Sequence, residues 1–101
     1  MMECRLRRGG VVIGLVTPDP SWFDFPWFAG RFYPTEAFEN VRALFDEEAR
    51  VCDQEDWETV DRIQAQLNEP GLELEYPDGQ VKRELLMHIE GERVSWREGQ
   101  G

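Results

Sequence analysis

The alternation of apolar and polar positions divides the chain into a β-type start, a helical middle and a β-type end. Residues 3–8 and 11–17 read as two strands joined at Gly9-Gly10, a dipeptide that supplies the positive φ angles of a tight hairpin. From Phe38 onward the period changes. Phe38, Val41, Phe45, Ala49 and Cys52 recur at three- and four-residue steps, which predicts a helix over about 36–51 with Thr35 as its N-cap. Asp53 reads as a second cap, and Trp57, Val60, Ile63 and Leu67 form the stripe of a helix over about 54–68, ended by Asn68-Glu69-Pro70-Gly71. Leu72–Tyr76 then alternates, Pro77-Asp78-Gly79 marks a turn, Leu85–Ile89 reads as a strand, and Glu90-Gly91-Glu92 turns the chain into a last strand over Arg93–Arg97.

Between the first hairpin and the first helix lies a segment with neither period. Seven of the twelve aromatic residues fall between Trp22 and Tyr33, bracketed by Pro18, Pro20 and Pro34. It reads as irregular chain laid across one sheet face. Seven rings at roughly 200 Å² each carry about 1,400 Å², far above the few hundred Å² that a soluble monomer usually exposes in one patch. Most of the rings are therefore expected in the core, with one or two left over to form a groove. The fold expected is α+β: an N-terminal β-hairpin, the irregular aromatic segment, two helices and a three-stranded antiparallel unit, in the order β-β-α-α-β-β-β, with the helices on one face of the sheet.

A chain of 101 residues is one domain, residues 1–101, with enough mass for a single core. The net charge of −10 resides in the middle, where residues 35–75 hold thirteen acids against Arg42, Arg50 and Arg62. Such a block repels phosphates and anionic lipid, so neither nucleic acid nor membrane is an expected partner. Cys4 and Cys52 form no CxxC and read as two buried thiols in a reducing compartment. Arg5, Arg7 and Arg8 before an apolar run mimic a signal peptide. The run is short, however, and Thr17-Pro18-Asp19-Pro20 follows it in place of a cleavage site. The expected location is the cytoplasm.

Chemistry-bearing patterns are sparse. His88 is the only histidine, so neither a zinc pattern nor a His-His pair arises, and no metal or cofactor is expected. On its strand His88 belongs to the face opposite Met87 and Ile89. A general acid–base role would require Asp24 or an arginine beside it, against the simpler reading of a packed or solvent-facing residue. The groups Asp46-Glu47-Glu48 and Asp53-Gln54-Glu55-Asp56 lack the spacing of a calcium loop and read as the solvated sides of amphipathic helices. Cys52 beside Asp53 sits in an electronegative neighbourhood that raises a thiol pKa, which argues against a catalytic thiolate. No catalytic set emerges. The most suggestive site is the aromatic segment, where Trp22, Asp24, Phe25, Trp27 and Arg31, with His88 from the C-terminal strand, supply the residue types of a rigid binding lip. The plainer alternative is that Asp24 and Arg31 only satisfy backbone groups around a core plug.

The string Asp24–Phe38, together with Leu86-Met87-His88-Ile89-Glu90-Gly91 and Trp96-Arg97, resembles a functionally uncharacterised family of small acidic bacterial proteins. Their shared pattern is a D-x-P-W-x-x-G-x-F-x-P-T-x-A-F core and an L-x-H-I-x-G C-terminal strand. The resemblance covers most of the chain. It implies a stand-alone domain in which Asp24, Trp27, Gly30 and His88 belong to the pattern, and it supplies no activity. Ten arginines against one lysine suit a GC-rich bacterial source.

The function expected from these features is a small interaction or regulatory module, immunity- or inhibitor-like, rather than an enzyme. Its aromatic lip, its acidic helices or both would bind a partner protein, a basic one where charge complementarity steers the encounter. The alternative is a small-molecule binder or enzyme whose pocket is lined by Trp22, Phe25, Trp27 and Trp96, with Asp24, Arg31 and His88 as polar groups. A homodimer through a β edge or the aromatic patch is compatible with either.

Overall fold

The computed structural model describes residues 3–98. Its framework is one antiparallel sheet of seven strands in the order β5-β4-β1-β2-β3-β7-β6. The strands are β1 (Cys4–Arg8), β2 (Val11–Pro18), β3 (Phe28–Pro34), β4 (Leu72–Glu75), β5 (Val81–Arg83), β6 (Leu86–Glu90) and β7 (Arg93–Arg97). The helices are α1 (Arg42–Asp53) and α2 (Trp57–Asn68), and short 3-10 turns occupy Pro20–Trp22 and Glu36–Asn40.

The expected β-β-α-α-β-β-β order is therefore corrected. This is a mostly β protein built on one curled, half-barrel sheet, not a three-stranded unit with helices on one face. Two strands account for the difference. The second half of the aromatic segment is β3, which pairs with β2 on one side and β7 on the other and so joins the N- and C-terminal hairpins into one sheet. Its alternation is masked because Gly30 takes an inward position. A Cβ there would lie 2.3 Å from the Thr17 carbonyl oxygen, so only glycine lets β3 pass β2 this closely. Gly14 likewise leaves room for the Phe32 ring. The other addition, β5, is three residues long and too short to show a period.

Gly9 and Gly10 turn the first hairpin at φ 59° and 82°, as their sequence requires. A register shift between Leu6 and Arg7 adds local twist to β1, in keeping with the curl. Inside it, Leu6, Val16, Phe32, Leu74, Met87, Val94 and Trp96 meet Phe38, Phe45, Val51, Ile63 and Leu67 in one core. Both helices start later than their spacing suggested. Thr35 does not cap; its hydroxyl donates to the Val12 carbonyl at 2.7 Å. Asp53 is the last residue of α1, and Asp56 caps α2 by accepting from the Thr59 amide.

The C-terminal half of helix α2 ties β1 to the edge strand β6. Arg8 donates to the carbonyls of Leu67 and Gln66. Gln64 donates to the Met87 carbonyl and accepts from the Met87 amide, while Asn68 donates to the Leu85 carbonyl. Gln64 thus offers the edge strand β6 the donor and acceptor that a neighbouring strand would present, which removes it as a docking edge. The opposite edge, β5, is blunted by its length and by Lys82 and Arg83. No helix among the described residues is long and apolar enough to cross a membrane.

Candidate functional site

The aromatic segment lies largely outside the core. Of its seven rings only Phe32 is fully buried, and Phe28 packs against the core by stacking on Trp96 at 5.8 Å. Phe25 is 92% exposed and Phe23 and Tyr33 are also exposed, contrary to the expectation that most would be interior. The geometry explains why. The rings ahead of β3 sit on a 3-10 turn and on the tight turn Asp24–Trp27, where Asp24 and Trp27 exchange backbone hydrogen bonds at 2.7 and 3.1 Å. The Phe25–Pro26 peptide in that turn is cis. Phe25 stands at the tip, while Phe23 folds back edge-on to Phe28 at 5.1 Å.

The predicted residues divide into two groups on the outer face of the sheet. Arg31 and Arg93 are cross-strand partners on β3 and β7, and their guanidinium carbons lie 5.8 and 5.0 Å from the Trp22 ring centroid. Neither arginine has a salt bridge among the described residues. Like charges opposed across a ladder repel, and the shared Trp22 face offsets part of that repulsion. The second group is Trp27 on His88, ring centroids 5.2 Å apart. Asp24 is exposed and makes no side-chain contact with His88, so that expected pairing is not formed.

The partner of His88 is Glu48 of α1. His88 Nδ1–H donates to Glu48 Oε2 at 2.6 Å, the Cys52 thiol donates to the same oxygen at 3.2 Å, and Gln64 Nε2 donates to it at 3.1 Å. Glu48 is completely buried, and its other oxygen, Oε1, is buried without a partner. Burial pushes its carboxyl up, but the hydrogen bonds from His88 and Cys52, the His88 charge and the Gln64 bond outweigh it and hold the group below its ordinary value. Burial, then the hydrogen bond and charge of Glu48, and then Asp53 push the Cys52 thiol up to about 12. Cys52 is thus a protonated donor, in line with the sequence reading of its neighbourhood.

The acidic run Asp46-Glu47-Glu48 predicts a solvated Glu48, whereas the fold buries it completely. Glu48 and Cys52 are four residues apart, so they share one face of α1, and that face turns inward beside Phe45 and Val51. The i,i+4 pairing of an acid with a cysteine on an otherwise apolar face was the available signal. The cluster brings three unlike donor atoms, from Glu48, Cys52 and His88, within 4.8 Å of one another.

Trp96 is fully buried while Phe25 stands in solvent, so Trp22, Phe25, Trp27 and Trp96 do not line one cavity. Shallow concavities among the described residues lie elsewhere, beside Thr35 and Asn40, beside Arg5 and Tyr76, and beside Arg8 and Val41. Comparisons with protein-family models, with curated proteins and with solved structures each return no match.

Proposed function

We propose that this chain is a small cytoplasmic interaction module that docks a partner protein through the aromatic turn before β3. The observation that carries this reading is Phe25, 92% exposed at the tip of a turn closed by two backbone hydrogen bonds. An aromatic ring held this far into solvent contributes nothing to the core. Seated in a partner's apolar pocket, it would contribute about 2–3 kcal/mol. Beside it, Trp22 between the guanidiniums of Arg31 and Arg93 adds the residue types that concentrate binding energy. The partner surface that fits is an apolar pocket rimmed by carboxylates. A basic partner on the acidic helices has weaker support. Their acids are mostly solvated, and Glu39 and Glu47 already pair with Arg42 and Arg50.

The test compares capture from lysate of the source organism by the wild type, Phe25→Ala, Arg31→Glu and the control Trp57→Ala, which truncates an exposed aromatic on α2. The expected result is one protein retained by the wild type and by Trp57→Ala, with affinity reduced about 30-fold or more by Phe25→Ala. Arg31→Glu weakens it further as salt is lowered. Equal capture by wild type and Phe25→Ala, or capture of nothing, overturns the proposal.

A further inference from the structure

We propose that Glu48, Cys52 and His88 form a binding site for one zinc-class transition-metal ion. The site lies beside the docking turn, whose Trp27 stacks on His88, and needs no partner protein. The supporting geometry is the triangle of donor atoms. Glu48 Oε2, Cys52 Sγ and His88 Nδ1 stand 2.6, 3.2 and 3.8 Å apart. A point equidistant from such a triangle lies about 1.9 Å from each corner, so an ion slightly out of that plane reaches the roughly 2.0–2.3 Å of zinc–oxygen, zinc–nitrogen and zinc–sulfur bonds. The donor set, one thiolate, one imidazole and one carboxylate, is the borderline-soft mixture that zinc and cobalt accept and that calcium and magnesium do not.

Charge and orientation agree. Glu48 is a completely buried carboxylate on whose Oε2 the Cys52, His88 and Gln64 groups converge, so the coordinating oxygen is already held beside the other two donor atoms. A dication with one carboxylate, one thiolate and a neutral imidazole sums to zero, which suits a buried position. Coordination releases the Cys52 thiol proton to solvent and displaces the proton on His88 Nδ1, which passes to solvent from a doubly protonated ring or moves to Nε2 in a neutral one. The imidazole then binds through Nδ1 in its neutral form, with its one proton on Nε2. Gln64, fixed by Met87, stays hydrogen-bonded to the carboxylate as an outer support, and Trp27 backs the imidazole ring. His88 is one-third exposed, so the cluster is reached from solvent on the His88 side.

Cobalt is the probe, added to chelator-treated full-length protein under reducing, oxygen-free conditions. The expected result is saturable one-to-one binding, with intense visible bands of a four-coordinate ion and a thiolate-to-cobalt charge-transfer band, both abolished by one equivalent of zinc. Cys52→Ser is expected to remove the charge-transfer band and weaken binding at least 100-fold. Cys4→Ala is expected to leave both unchanged, and Glu48→Gln to weaken binding at least tenfold. Cys52 is only half-buried, so Cys52→Ser keeps the fold, and thermal unfolding verifies this for every variant. Absence of a charge-transfer band in excess cobalt, its persistence in Cys52→Ser, or its loss in Cys4→Ala overturns the proposal.

Discussion

Cys52 is only half-buried yet should be a slow thiol, and the rate follows from its surroundings. Its pKa is pushed from 9.0 to about 12, first by burial, then by the hydrogen bond to Glu48 and the charges of Glu48 and Asp53. At pH 8 a thiol of ordinary pKa is about one-tenth ionised, whereas one near 12 is ionised about once in ten thousand, a loss of about 1,000-fold. A more basic thiolate is a better nucleophile, and a Brønsted slope of about 0.4–0.5 over three units returns about 15- to 30-fold. The net expectation is reaction about 30- to 60-fold slower than the same thiol in unfolded chain.

The assay is the rate of aromatic-disulfide exchange at pH 8 with chelator present, in a Cys4→Ala background so that only Cys52 reports, with the denatured protein as the reference. Glu48→Gln removes the negative charge while keeping an acceptor for the thiol, and the rate should rise several-fold, short of the denatured value because burial and Asp53 remain. Native Cys52 reacting as fast as in the denatured chain, or Glu48→Gln slowing it, would refute the electrostatic account. A rate that follows global stability across a urea series would instead assign the protection to unfolding alone.

Further outcomes follow from the same contacts. Because the Glu48 carboxyl is held below its ordinary 4.5, its contribution to stability is complete above that value and is lost as pH falls beneath it. Urea unfolding from pH 6 down to 3 should therefore show a shallower acid decline in Glu48→Gln than in the wild type. The sign reverses for the thiols. Cys4, raised to about 11, and Cys52, raised to about 12, add stability that is complete below pH 9 and lost as pH rises toward those values, so Cys52→Ser should flatten the alkaline limb. Gln64→Leu should cost about 2–4 kcal/mol by stranding the Met87 amide and carbonyl, and hydrogen exchange at the Met87 amide should accelerate beyond the global change. Gly30→Ala drives a methyl into the Thr17 carbonyl and should cost about 1–3 kcal/mol in urea unfolding, while Phe25→Ala should change stability by less than about 0.5 kcal/mol.

The elements that announced themselves carry their own periodicity. The Gly9-Gly10 hairpin, the 57–68 helix and the strands at Leu72 and Arg93 each repeat an apolar step that only one backbone geometry can bury on a single side. β3 was hidden for a specific reason. Its inward positions are Phe28, Gly30 and Phe32, and a glycine in the middle breaks the visible alternation at the very residue that lets the strand approach Thr17. The helix starts shifted because a threonine after a proline looks like a cap, whereas Thr35 donates its hydroxyl to Val12 and the first turn stays 3-10. Local chemistry proposed the cap, and a partner 23 residues away decided it.

The Glu48 cluster was illegible for a deeper reason. A glutamate in a run of Asp46-Glu47-Glu48 is solvated unless something inside the fold accepts its charge, and the groups that do so lie 16 and 40 residues further on, at Gln64 and His88. Neither is recognisable as a partner until β6 is placed at the sheet edge and α2 is laid across it. Gln64 performs both tasks: its amide holds the edge of β6 through Met87, and the same nitrogen donates to the Glu48 carboxylate. The contact that covers the β6 edge at Met87 is therefore the same one that fixes the buried acid. An apolar side chain at Glu48 with His88 turned to solvent would relieve the desolvation cost at no expense to the hairpins or the helix stripes. That the chain carries a buried carboxylate here, with a thiol and an imidazole converging on its Oε2, is explained better by a ligand shared by those three atoms than by the needs of the fold.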